Sequence, residues 1–193
     1  ERKALESIRL SWAPTPDDVW APQEPLHVGG LHPVALDEVL RAYRDATAAD
    51  AGSPLGVVVR GPAGSGKTHL LGEVREWVQA QGGFLFLIKL LDCQDFWRSI
   101  LVGMLDDLSR PSPGFPSQLR MLLTRLADMG QTADADVAKV VGDEEIDPAT
   151  LERFVRAVYT KHPRHRRRSQ HVLRSLVLMA SPDFDAQDVG AAF

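Results

Sequence analysis

Gly61-Pro62-Ala63-Gly64-Ser65-Gly66-Lys67-Thr68 fits the pattern G-x-x-x-x-G-K-[ST] at every fixed position. A β-branched run, LGVVVR (55–60), comes directly before it and predicts a buried strand, and apolar residues at helical spacing follow it. Glycines let the backbone turn its N–H groups toward a phosphate chain, and a helix N-terminus adds partial positive charge. The octapeptide is therefore a predicted phosphate-binding loop, or P-loop.

The P-loop residues have distinct expected roles toward a nucleoside triphosphate. Lys67 is the predicted catalytic residue, because its ammonium group would reach the β- and γ-phosphates. Thr68 is the predicted metal ligand, through its hydroxyl oxygen, and the expected cofactors are ATP and Mg²⁺. The full predicted nucleotide-binding set comprises Gly61, Pro62, Ala63, Gly64, Ser65, Gly66, Lys67, Thr68, His69 and Val28.

The sequence around the loop predicts an α/β fold with a P-loop NTPase parallel-sheet core. Helical stripes cover residues 33–48 and Leu70–Val78, and the almost continuously apolar Phe84–Leu91 predicts a second strand covered on both faces. Helices that alternate with strands are typical of a parallel sheet. An extended arm rich in Pro and Trp is expected before this core, and a mostly helical half after it.

The second half of the chain predicts helices. Apolar residues recur at helical spacing in the stretches 96–108, 119–126, 151–158 and 169–180. Asp147-Pro148 supplies an N-cap and a first-turn proline for the third of these helices. The acidic, Gly- and Ala-rich stretch Gly130–Asp147 predicts a mobile segment or a surface loop. We expect three regions: an arm (1–25), a P-loop core (26–109) and a helical insertion or lid-like region (110–193).

Composition excludes several classes of protein. The chain has 193 residues, a formal net charge of −4, 44% hydrophobic and 25% charged residues, which are globular values. The single cysteine, Cys93, excludes an intramolecular disulfide framework and a cysteine-based zinc site. No apolar run approaches the ~20 residues that span a bilayer, and the N-terminus lacks a secretory pattern. These features predict a cytoplasmic protein without membrane association.

Residues 26–108 resemble AAA+ and STAND ATPases, especially initiator-type AAA+ proteins. Val28-Gly29-Gly30 looks like the box that borders the adenine in that family, with Gly30 in place of the usual Arg. Phe84–Leu108 is similar to the family's second strand and following helix, with Asp92-Cys93 at the place of its polar-Cys pair. The resemblance implies a Mg·ATP-binding ATPase domain that acts as a nucleotide-driven switch or motor element, in a setting such as a DNA-linked or antiviral complex.

The resemblance also implies a Walker B acid, a sensor residue and an arginine finger. Apolar stretches end in acids at Asp92, Asp107 and Asp183, but none fits a third strand next to the P-loop. Since the chain also begins without Met, we expect the N-terminal part of a larger bacterial ATPase. A diverged third strand within the chain is the alternative. Whether the chain hydrolyses ATP by itself stays open.

Two other functions fit the same loop. A P-loop kinase would transfer phosphate to a small molecule or polynucleotide, and a non-catalytic module would use nucleotide to hold an assembly surface. The basic cluster in the Arg164–Arg168 region comprises Lys161, Arg164, Arg166, Arg167 and Arg168. It has three interpretations: a solvated helix end, a phosphate-facing lid or inter-subunit arginine, or a nucleic-acid contact. Protein partners or self-association are expected in addition.

Overall fold

Helices make up the regular structure of the part of this chain that the structure describes. The structure is a computed structural model that describes residues 19–20, 32–48, 56–88, 95–142, 146–161 and 166–181, with backbone alone for 166–168. Within these ranges the helices are α1 (Pro33–Ala48), α2 (Lys67–Ala80), α3 (Phe96–Leu108), α4 (Gln118–Gly130), α5 (Asp134–Val141), α6 (Pro148–Lys161) and α7 (Arg166–Met179). No helix in the described ranges has both the length and the apolar character needed to cross a membrane.

The predicted α/β fold with a parallel-sheet core is wrong, since the described residues contain no strand or sheet. No strand forms at residues 56–60 or 84–88, which were predicted to lie in strands, and Val58 is 81% exposed instead of buried. A strand needs a second backbone to complete its hydrogen bonds. β-Branched residues favour a strand through their side chains, but they do not provide the second backbone with which a strand must pair. Val19 and Trp20, the described part of the predicted extended arm, lie in a turn.

The chain divides into two compact units, Glu1–Leu87 and Ile88–Phe193. In the first unit α1 packs against α2, and the core forms around Leu70, Val74 and Val78 of α2. At the far end of α2, Tyr43 meets Trp77 edge to face, with ring centroids 5.6 Å apart. This packing fixes α2, the helix that the P-loop precedes.

The second unit is a bundle in which α4 packs against α3, α5 and α6, and α6 packs against α5 and α7. Its most buried apolar side chains are Leu123, Val140, Phe154 and Val177. A Cβ on Gly130 would lie 3.0 Å from the Val158 backbone nitrogen, so α4 and α6 approach closely at this glycine. The bundle therefore has a core of its own.

Most helix predictions in both units are confirmed, including the N-cap at Asp147, whose Oδ1 accepts the Thr150 N–H at 2.9 Å. The prediction of a surface loop over Gly130–Asp147 is wrong where α5 forms. That helix buries Val140 and Asp136, which lie on one face at i and i+4. The many acidic residues in this stretch made the short amphipathic pattern of α5 hard to recognise from sequence.

Candidate phosphate-binding site

The P-loop backbone takes the conformation that its glycines permit. Gly64 has a φ of 75° and Gly66 a φ of 80°, both in the left-handed region that disfavours any residue with a Cβ. Between them the Ser65 N–H donates to the Pro62 carbonyl at 3.3 Å and closes a turn. The two glycines therefore bend the chain through the loop and direct it into α2.

The start of α2 is suited to an anion. Gly66 is the N-cap and provides no capping side chain, and the first turn carries no acidic residue. The first helical bond runs from the Leu70 N–H to the Gly66 carbonyl at 2.9 Å. Because earlier N–H groups have no acceptor within a helix, those of Lys67 and Thr68 can point toward a phosphate. The helix dipole favours negative charge at the same place.

Lys67 folds back across the loop. Its Nζ donates to the carbonyls of Gly61 and Pro62, at 2.9 and 2.7 Å, and reaches the Ser65 hydroxyl at 3.4 Å. Residues 61–66 carry no charged side chain, so Lys67 gives the loop a net positive charge. The ammonium group thus lies within the loop, against the carbonyls of Gly61 and Pro62.

The two ends of the loop also lie close together. A Cβ on Gly61 would be 2.6 Å from Ser65 Oγ, which is the atom that Lys67 approaches. Gly61, Pro62, Ala63 and Gly64 are exposed, whereas residues 65–69 are half-buried where the chain enters α2. The loop therefore opens outward and is anchored at its C-terminal end.

The donor groups here fit a phosphate chain with its cation. Backbone N–H groups and an ammonium group are donors for phosphate oxygens, and a threonine hydroxyl in the first helical turn is a ligand of the hard type that Mg²⁺ prefers. Gly64 and Gly66, the two positions with positive φ, bring no Cβ into the bend. Magnesium and ATP are thus chemically compatible with the loop.

The remaining predicted site residues have different outcomes. His69 lies on α2 with its Nε2 3.8 Å from Glu73 Oε1, one turn further along the helix. Val28 lies outside the described residues, and so do Asp92, Cys93 and Arg164; Arg166, Arg167 and Arg168 are described by backbone alone. The structure thus brings together the loop itself, from Gly61 to His69. The assignment of Val28 to the nucleotide stays a prediction.

A contact beside the site was missed by sequence reasoning. Arg75 of α2 is buried, and its guanidinium donates to the carbonyl of Val19, 56 residues earlier in the chain. The sequence carries no clear signal for it, since Arg75 stands between Glu73 and Glu76 in a helix of mixed polar and apolar residues. The identity of its acceptor depends on the tertiary structure.

A glycine-bent loop with a lysine at a helix N-terminus has a geometry and charge that suit a phosphate chain. Comparison with known families matches residues 34–182 to the AAA ATPase domain. The match covers most of the chain, which belongs to the AAA ATPase domain family, and the family supports ATP binding and ATPase function. No curated protein and no solved structure matches the chain.

Proposed function

We propose that the chain binds Mg·ATP at its P-loop, Gly61–Thr68, and uses the binding as a conformational switch. The observation that carries this proposal is the geometry at the start of α2. Two glycines with positive φ, the N–H groups of Lys67 and Thr68 at the start of α2 and an ammonium group held within the loop occur together in one short segment. Membership of the AAA ATPase domain family supports the same ligand.

Lys67 and Thr68 have separate tasks in this proposal. Lys67 supplies a positive charge to the β- and γ-phosphates, and the N–H groups at the start of α2 orient them. Thr68 Oγ holds the cation, which neutralises phosphate charge when bound. His69 and Val28 complete the proposed nucleotide-binding set.

The switch follows from the present contacts of Lys67. Its ammonium group donates to the carbonyls of Gly61 and Pro62, which are acceptors within the loop. To meet phosphate oxygens, Lys67 must exchange these acceptors, so ligand binding changes the contacts that hold the first part of the loop. A local exchange of this kind is how a nucleotide biases a conformational equilibrium.

The test is ATP-dependent thermal stabilisation of the unaltered chain and of Lys67→Ala, with Mg²⁺ present and with chelator. At ATP concentrations about 100-fold above Kd, binding stabilises the folded state by about 2.7 kcal/mol. For a chain of this size that corresponds to a rise in Tm of about 5–10 °C. We expect Lys67→Ala to abolish the rise, because the loop loses its only cationic side chain, and chelation to reduce it.

Arg41→Ala is the matched control. Arg41 is an exposed cation of α1 in the same unit, paired with Asp37 on the same helix at 2.8 Å. Such a pair contributes little stability, so the variant should keep the full ATP response. An ATP-induced rise that survives in Lys67→Ala would refute the site assignment.

A further inference from the structure

The Val19–Trp20 segment is hydrogen-bonded to α2, the helix that follows the P-loop. Val19 is 2% exposed, and its carbonyl accepts a hydrogen bond from Arg75 Nη1. Arg75 itself is buried at 6% exposure, and its second terminal nitrogen bonds Glu76 Oε1 at 3.1 Å. Because a buried guanidinium needs acceptors, α2 favours the state in which the segment is docked.

The docked segment contacts the face of α2 that also carries Thr68, the proposed metal ligand. Thr68, Gly72 and Arg75 stand at i, i+4 and i+7 of α2, so they share one face. Arg75 lies about 10 Å along the helix axis from Thr68, at a rise of 1.5 Å per residue. Gly72 and Arg75 are buried, and Thr68 is half-buried. The hydrogen bond between Arg75 and Val19 thus stabilises the same face of α2 on which Thr68 lies.

We propose that the Val19–Trp20 segment is a strap that docks on α2 through Arg75 and raises the affinity of the P-loop for ATP. The inference rests on the proposed function and adds to it a positioning residue, Arg75, and a regulatory segment. Undocking removes the Val19 acceptor of Arg75 and loosens α2. Ordering the first turn of α2, which binds the phosphates, then costs more free energy. Docking and ATP binding each order the same helix, so each favours the other.

Reciprocity gives the proposal two independent readouts. If the strap strengthens ATP binding, ATP must strengthen strap docking by the same factor. The ATP dissociation constant reports the first effect. Hydrogen exchange of the peptide containing residues 19–20 reports the second, because docking protects its amides.

The experiment uses the full chain with two variants that undock the strap from opposite sides. Arg75→Met removes the donor and keeps an apolar side chain of similar length, and Val19→Lys places a cation against Arg75. The matched controls are Val34→Lys, at a valine of the same unit that is 73% exposed, and Arg41→Met on the surface of α1. Circular dichroism checks that each variant folds; should Arg75→Met fail, Val19→Lys decides, since it leaves α2 unaltered.

We expect both strap variants to weaken ATP binding at least about fivefold, the lower end of couplings between distinct sites. Exchange at residues 19–20 should be faster in both, and ATP should slow it in the unaltered chain. Affinities within about twofold of the unaltered chain, or unchanged exchange at the strap, would overturn the coupling while leaving ATP binding intact. Failure of the unaltered chain to bind ATP would instead overturn the proposed function, and the coupling with it.

Discussion

At the residue scale, the glycines of the P-loop are not equivalent. Gly64 and Gly66 have positive φ, whereas Gly61 is constrained by the nearby Ser65 hydroxyl, a group that can rotate away. A Cβ at positive φ is strained in any environment, but a clash with a rotatable side chain can relax. The bend into α2 therefore depends most on the two glycines in the left-handed region.

Gly66→Ala should destabilise the folded chain by about 1–2 kcal/mol and weaken ATP binding, because the new Cβ opposes the φ of 80° at the N-cap of α2. The free energy of unfolding from urea titration, measured with and without ATP, tests both effects. Gly56→Ala is the matched control, since Gly56 precedes the loop and a Cβ there meets no atom within 4 Å. Equal stability of the two variants would contradict a strained bend at Gly66.

At the element scale, a polar cluster joins α5 to α6. Arg153 of α6 forms a two-pronged pair with Asp136 of α5, with Nη2 to Oδ1 at 2.6 Å, and also donates to the Thr150 hydroxyl. Asp147, the N-cap of α6, accepts from Thr150 and from Lys139 of α5. The cluster ties the start of α6 to the side of α5.

The cluster should make the helical bundle sensitive to acid. Hydrogen bonds from Thr150 and Lys139 hold the pKa of Asp147 well below its usual range, and Arg153 lowers the pKa of Asp136. Since the pKa values are lower in the folded than in the unfolded state, the carboxylates stabilise the fold above pH ~4. This stability is lost as the pH falls from about 4 through the lowered values.

Urea unfolding between pH 7 and pH 2.5 tests this linkage. Asp136→Asn should be less stable at pH 7 and should lose less stability on acidification, because one of the two titrating groups is gone. Asp134→Asn, on the exposed first residue of α5, serves as the matched control. A parallel pH dependence in Asp136→Asn and the unaltered chain would exclude Asp136 as a source of the acid sensitivity.

Sequence reasoning succeeded where the determining interactions are local. Helix periodicity and the Asp147 cap depend on residues within a few positions, and the P-loop glycines stand where the bend requires them. It failed for residues 56–60, because a strand depends on a partner elsewhere in the chain. It could not find the Val19–Arg75 contact for the same reason, since the two residues are 56 positions apart.

At the scale of the whole molecule, the division at Leu87–Ile88 separates two kinds of structure. The first unit contains the P-loop and the short core formed by α1 and α2. The second unit contains five helices in its described part and a core that includes Leu123, Phe154 and Val177. Each unit has buried apolar residues of its own, which is the physical requirement for independent folding.

The fragment 88–193 should therefore fold alone, as a helical unit with cooperative urea unfolding and no response to ATP. Phe154→Ala, which empties the position of a fully buried ring, should destabilise the fragment by about 3–5 kcal/mol. Met129→Ala is the control, because Met129 is 48% exposed on α4, so its loss should change stability by less than about 1 kcal/mol. Helical circular dichroism with a non-cooperative transition would show that the second unit needs the first, because its buried residues alone would then not offset the entropy of ordering the chain.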